Sequence, residues 1–319
     1  MKLIQVHPSA SRVPTPPAAR LVDAPEPVPG RGEVLLRLRA VAIGATELAV
    51  LSGRLPLDGT PGSEFTADVI HDPDDLLTGR RVIPRSSVPC GACGPCIDGN
   101  PAHCPVRFRP GRSGRHGGMA ERFPFPRAGL VPLPPHIRDF DAISALPLAS
   151  ALRMAGRVPL PGRVLVVSDS GLGIVAACAL RGRRQLIFLS MPAEEAVESV
   201  RKFSLHRDPG GRFPLVVAAC DGPDVFARAL DRVTPQGTLA VLGMPECTGP
   251  VLSLVGRELT VVGIDEGDVS EALTQLEDKE SCEILSRARP TIFPLGQADQ
   301  ALAHATRPGS LRVILDNLA

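Results

Sequence analysis

The chain has 319 residues, 44% hydrophobic and 22% charged, enough to bury a full core and to make two domains. Its 35 basic and 34 acidic residues leave a net charge of +1, which implies no basic face for nucleic acid or an anionic membrane. No apolar run reaches the roughly 20 residues of a membrane span and the N-terminus lacks a signal-peptide core, so a cytoplasmic protein is expected.

In chain order, the first part reads as all-β. The stretch Val34-Leu-Leu-Arg-Leu-Arg-Ala-Val-Ala42 alternates apolar and polar residues, Ala67-Asp-Val-Ile70 is a short strand, and Pro and Gly punctuate the junctions. Short strands joined by turns predict a small barrel-like domain. Next comes Cys90-Gly-Ala-Cys93-Gly-Pro-Cys96, with Cys104 eight residues on, in a loop too rich in Gly and Pro for a helix or a central strand. Two C-x-x-C turns that aim four thiols at one ion predict a tetrahedral zinc site, Cys90, Cys93, Cys96 and Cys104, one zinc per chain. Four thiolates leave no open position for water or substrate, so this zinc is structural. Two disulfides, or four unrelated cysteines, are the competing readings, and the spacing weighs against both. Cys178, Cys220, Cys247 and Cys282 are scattered singly and read as reduced packing residues.

After Leu146-Pro-Leu-Ala-Ser150 the rhythm changes. Strand Arg163-Val-Leu-Val-Val167, an apolar helix from Gly171 to Leu180, and strands Gln185 to Leu189 and Pro214 to Ala219 follow. A helix from Val225 to Leu230 leads to strands Thr238 to Leu242 and Leu259 to Val262. Strands alternating with helices predict a doubly wound parallel sheet. The tail from Val269 adds a helix, a strand at Thr291 to Phe293, another helix and a last strand, Leu311 to Leu315.

Taken together, Gly32-Glu-Val-Leu35, Gly62-Ser-Glu64, Gly79-Arg-Arg-Val82, the cysteine loop, Gly117-Gly-Met-Ala-Glu121, Leu130-Val-Pro-Leu-Pro134, Val164-Leu-Val-Val167, Gly237-Thr-Leu-Ala-Val-Leu-Gly243 and Leu311-Arg-Val-Ile-Leu-Asp316 resemble the zinc-containing alcohol dehydrogenase branch of the medium-chain dehydrogenase/reductase superfamily, nearly end to end. The resemblance implies an α/β protein: a GroES-like β-barrel catalytic domain over 1–147, a doubly wound, shortened Rossmann domain over 148–267, and a segment, 268–319, returning to the first. It also implies a small-molecule substrate in the cleft between the domains and a homodimer that pairs Rossmann sheets edge to edge.

The departures from the family's pattern carry the functional reading. Its catalytic-zinc ligands fall here on Gly44, Ser63 and Leu146, of which two offer no donor and one a poor one, so catalytic zinc is expected to be lost. Around that centre, Thr46 matches the hydroxyl that hydrogen-bonds the reacting oxygen and Glu47 replaces the acid that supports a ligand histidine. Glu64 survives, and Arg312 matches a basic residue that in the family lies between that Glu and the cofactor phosphates; both also read as structural remnants. His71 and His116 are the spare imidazoles of this domain, more ordinary as loop or core residues than as catalysts.

The dinucleotide fingerprint G-x-G-x-x-G is worn to Ser168-Asp-Ser170-Gly171-Leu-Gly173, with only the third glycine in place. No acidic residue follows the second strand, where Leu189 precedes Ser190 and Met191, which points to NADP(H) over NAD and implies cofactor contacts at Ser168, Ser170, Gly171, Gly173, Ser190 and Arg312. The span from Met191 to Phe213 is short for the helix and strand the family fits there. Three functions follow: an NADP(H)-dependent oxidoreductase without catalytic zinc, acting on an activated carbonyl, enone or quinone; a non-redox cyclase or lyase reusing the cleft; or a pseudoenzyme that binds or scaffolds.

Overall fold

The computed structural model describes residues 1–7, 18–55, 57, 60–112, 117–159, 161–181, 185–190, 210–220, 222–245, 251–286, 290–307, 310 and 312–317. The chain divides into two compact units: Met1–Ile143, Pro290–Thr306 and Val313–Ala319 form one, and Ser144–Arg289 with Arg307–Arg312 the other. Among the described residues no helix is long and apolar enough to cross a membrane.

The first unit is built on β3, Glu33–Ile43, an 11-residue strand buried along most of its length. Two edge elements precede it, β1, Lys2–His7, and β2, Ala18–Asp23, paired antiparallel. The helix α1, Ala45–Leu51, leads on to β4, Phe65–His71, and β5, Arg81–Pro84. The cysteine loop carries a four-residue helix, α2, Gly94–Ile97, and β6, Arg122–Pro126, and β7, Leu130–Pro132, follow it. Two strands from the far end of the chain, β13, Thr291–Pro294, and β14, Val313–Asp316, complete a sheet of order β13-β14-β3-β4-β5-β7, with β6 paired to β3. Its core is aromatic: Phe65 meets Phe123 and Phe125 edge-on at 4.9 and 5.4 Å between ring centres, the arrangement that ring quadrupoles favour. Buried Asp72 is held by Arg127 at 2.8 Å and by the N–H groups of Asp74 and Leu77. Burial raises its pKa, but these donors outweigh it and the carboxyl ends below its ordinary value.

In the second unit, α4, Ala145–Arg157, leads into β8, Arg163–Ser168, then α5, Leu172–Ala179, β9, Gln185–Ser190, and β10, Phe213–Ala219. Helix α6, Pro223–Asp231, β11, Val233–Leu242, α7, Val251–Gly256, and β12, Thr260–Gly263, follow. All five strands are parallel, in the order β12-β11-β10-β8-β9. Val164 to Val167 and Leu215 to Ala219 are fully buried, which is why both strands read as unbroken apolar runs instead of alternating. Helix α5 is apolar on every side because its residues from Gly173 to Cys178 are all buried.

The return to the first unit begins at Pro290 and not at residue 268. The intervening helices, α8, Val269–Leu276, and α9, Lys279–Ser286, bury Leu273, Leu276, Ile284 and Leu285 and pack on α4 and α5, so they belong to the second unit. Likewise α4 packs against α5, which moves the first boundary from 147 back to Ile143. The last helix, α10, Ala298–Ala305, sits between β13 and β14 in the first unit. The expected shortening between Met191 and Phe213 falls mostly on 191–209, outside the described residues.

Candidate functional site

Four thiols gather in the cysteine loop. The Sγ atoms of Cys90, Cys93, Cys96 and Cys104 all lie within 4.8 Å of one another, and those of Cys93 and Cys96 are 3.4 Å apart. A tetrahedral zinc with sulfurs at about 2.3 Å asks for S···S edges of about 3.8 Å, so the donor set and its geometry fit the ion. Gly91 at φ 75° and Gly99 at φ 78° supply the left-handed turns that fold the loop back on itself, and Cys93 caps α2. The N–H of Cys90 donates to Cys104 Sγ at 3.4 Å. N–H groups of Ala92 and Cys93, with Cys104, hold the Cys90 thiol down at about 6. At Cys93 an N–H from Cys96 favours the thiolate, yet burial and the neighbouring thiols push it up to about 12. Four sulfurs this close resist joint ionisation unless a cation sits among them. Among the described residues this is the one group of three or more His, Cys, Asp and Glu side chains placed to hold a metal.

A second centre forms where α1 meets the turn before β4. Glu47, only 1% exposed, reaches back along α1 so that its Oε2 accepts the N–H of Gly44 at 3.0 Å. Its Oε1 accepts both the N–H and the hydroxyl of Ser63, at 2.7 and 2.8 Å. The carboxylate thus bridges two of the positions at which the expected zinc ligands are missing. The third, Leu146, lies buried on α4 in the other unit. Glu64 turns toward the same place: a Cβ on Gly44 would stand 2.9 Å from Glu64 Oε1 and 3.5 Å from Glu47 Oε2. Gly62 holds Ser63 and Glu64 there. It sits at φ 115°, its carbonyl accepts the N–H of Gly118 at 2.7 Å, and a Cβ would fall 2.6 Å from Met119 N. Thr46 is half-buried on the first turn of α1. His71 ends β4 on the surface, and His116 is outside the described residues.

The third arrangement is the turn between β8 and α5. The hydroxyl of buried Ser168 donates to Ala219 O at 2.7 Å or to Ser170 O at 2.9 Å, and accepts the N–H of Ser170 at 3.2 Å. Ser170 Oγ accepts the N–H of Leu172 at 3.4 Å, and Ser170 O that of Gly173 at 3.2 Å. Asp169 crosses to the end of β10, where Oδ2 accepts the N–H of Gly222 at 3.1 Å. Gly222 is the N-cap of α6, and a Cβ there would lie 2.7 Å from that oxygen. Ser190 ends β9 in register with Ser168. Arg312 precedes β14 and falls in the second unit, whereas Glu64 falls in the first. The frame that a dinucleotide diphosphate takes is therefore present: parallel strand, tight turn, apolar helix and Gly173. The N–H groups of Ser170, Leu172 and Gly173 bond to acceptors within the turn.

Sequence reasoning named Ser168, Ser170, Gly171 and Gly173 but passed over Asp169 and Gly222. The signal was a carboxylate inside a phosphate-binding fingerprint, where like charge is out of place.

Residues 30–135 match the alcohol dehydrogenase GroES-like domain. The L-threonine 3-dehydrogenase of Streptomyces coelicolor is 28% identical over 285 residues, covering 78% of this chain and 81% of that protein. The alcohol dehydrogenase TADH of Thermus sp. ATN1 superposes with a TM-score of 0.81 at 20% identity, covering 99% of each chain. The Haloferax mediterranei glucose dehydrogenase, solved with NADP, zinc and gluconolactone, superposes with a TM-score of 0.77 at 17% identity, again over 99% of each.

Proposed function

Starting from the premise that the chain belongs to the medium-chain dehydrogenase/reductase superfamily, we propose that it is an alcohol dehydrogenase-like, NADP(H)-dependent oxidoreductase with one structural zinc and no catalytic zinc. Its substrate in this reading is a small molecule with an activated carbonyl, enone or quinone. The observation that carries it is Glu47. Its carboxylate accepts three hydrogen bonds from Gly44 and Ser63, so one side chain gathers the donors of two positions at which the family places thiolate and imidazole. A carboxylate so committed is a poor metal ligand, and neither Gly44 nor Ser63 replaces what is lost.

Cys90, Cys93, Cys96 and Cys104 would hold the structural zinc. A bound nicotinamide supplies the hydride chemistry. The chain's own residues do the rest: Ser168, Ser170 and Gly173 frame the diphosphate turn, and the missing acid after Leu189 leaves room for a ribose phosphate. Thr46 would offer its hydroxyl to a substrate oxygen that gains negative charge during reduction. An enone or quinone suits such a site, because conjugation spreads that charge and reduces what a metal would have to stabilise.

One observation favours a second reading, a binding protein without catalysis: the N–H groups of Ser170, Leu172 and Gly173 are already taken by Ser168 and Ser170. Titration with NADPH and with NADH, followed by cofactor fluorescence and thermal midpoint, separates the two. Occupancy at about 100 times the dissociation constant adds about 2.7 kcal/mol of stability. Tight binding of NADPH supports the oxidoreductase, and failure of both cofactors to bind leaves the binding protein.

A further inference from the structure

The turn after β8 is charged as well as closed. In a dinucleotide fold the N–H groups here face the diphosphate and the loop carries no anion of its own, so that backbone and helix dipole meet the ligand's charge unopposed. In this chain Ser170 N, Leu172 N and Gly173 N bond to acceptors inside the turn. The carboxylate of Asp169 takes Gly222 N at 3.1 Å, at the start of the nine-residue helix Pro223–Asp231. A Cβ at residue 222 would come within 2.7 Å of the carboxylate oxygen, the movable end of the Asp169 side chain. The bond between Asp169 and Gly222 ties the turn after β8 to the loop after β10.

We infer that Asp169 competes with the diphosphate of a dinucleotide for this turn, and so sets how tightly the protein holds its cofactor; this rests on the dinucleotide reading above. Two effects act in one direction. The carboxylate belongs to the turn itself, so it repels a diphosphate that docks there, an effect that salt screens. Its bond to Gly222 N also ties the turn to the loop after β10 while Ser168 and Ser170 hold the N–H groups that a ligand's oxygens would take. In the unliganded protein the same bond is favourable, because an anion at the N-terminus of α6 complements the helix dipole. Asp169 therefore trades cofactor affinity for stability of the empty protein.

The test uses the full-length protein, Asp169→Asn and Asp169→Ala, with NADPH and NADH as probes, read by fluorescence titration and by the thermal midpoint without ligand. Asparagine keeps an oxygen for Gly222 N and loses the charge; alanine loses both. Asp169→Asn is expected to bind NADPH at least tenfold more tightly, Asp169→Ala at least as tightly again, and the gain to shrink as salt is raised from about 0.05 to about 0.3 M. Both variants should melt below the wild type when empty. Opposite signs for affinity and stability are the signature, since a purely structural aspartate would lose stability with affinity unchanged or weaker. If the wild type binds NADPH and neither variant binds more tightly, the inference fails while the oxidoreductase reading stands. If no protein of the three binds either cofactor at millimolar concentration, both fail together.

Discussion

The cysteine loop and the start of α1 belong to the same unit, and under the proposed function they are read in opposite ways. In the loop every donor is kept and the four sulfurs converge within 4.8 Å. Around Gly44 the proposed reading has no metal donors, and there the Glu47 carboxylate accepts the N–H of Gly44 and the N–H and hydroxyl of Ser63. A closed four-thiol site contributes folding energy, so its loss is felt at once as instability. A site kept for chemistry can be given up if the polar groups it leaves behind find partners. In the proposed reading Glu47 is that partner, since it accepts both the N–H and the hydroxyl of Ser63.

The largest effect that would break this contrast is on the metal. Metal analysis of the purified protein is expected to give one zinc per chain, and Cys104→Ser to give none. The variant should also lose several kcal/mol of stability, given that structural zinc binds with on the order of 10 kcal/mol in small domains. Two zincs per wild-type chain would mean that the centre near Gly44 still binds metal and that the contrast drawn here is wrong.

Next in size is Glu47→Ala. It leaves Gly44 N, Ser63 N and the Ser63 hydroxyl without their acceptor, at roughly 1 kcal/mol or more each, so about 3 kcal/mol is expected from denaturant midpoints. Glu47→Gln, which retains one acceptor oxygen, should lose less than half of that. A change of under about 0.5 kcal/mol for Glu47→Ala would show that the carboxylate is incidental to the unit. Gly44→Ala is smaller again, about 1 kcal/mol or less, because the Cβ meets the end of the Glu64 side chain and not backbone.

These two centres were not equally legible in the sequence. The zinc lobe could be read because its ligands are neighbours in the chain and their spacing is itself the geometry. The parallel sheet could be read because β8 and β10 are buried on both faces and show it as continuous apolar runs. Glu47 could be aligned to an acid, but two of its three bonds come from Ser63, placed by Gly62, whose carbonyl accepts the N–H of Gly118 across the fold. The reach of Asp169 to Gly222 spans 53 residues and depends on which strand lies beside β8. Helices α8 and α9 were assigned to the wrong unit because amphipathic spacing reveals a buried face but not which surface covers it.

The smallest expected effect comes from those helices and sharpens the contrast from the other unit, where an ion pair replaces a metal as the clasp. Arg181, just past α5, pairs with Asp278 between α8 and α9. The guanidinium hydrogen bond, then the N–H of Ser281, lower the Asp278 carboxyl from 3.8 to about 2. A depressed carboxyl pKa gives stability that is present above the unfolded value of 3.8 and lost as the pH falls through about 2. The pair is partly exposed, so solvent screening keeps its contribution small. The gap in thermal midpoint between wild type and Asp278→Asn should accordingly be modest and constant from neutral pH down to about 5, then close on further acidification. A gap that persists at about pH 2 would show that Asp278 holds the helices through its shape and its bond from Ser281, with the charge on Arg181 contributing nothing measurable.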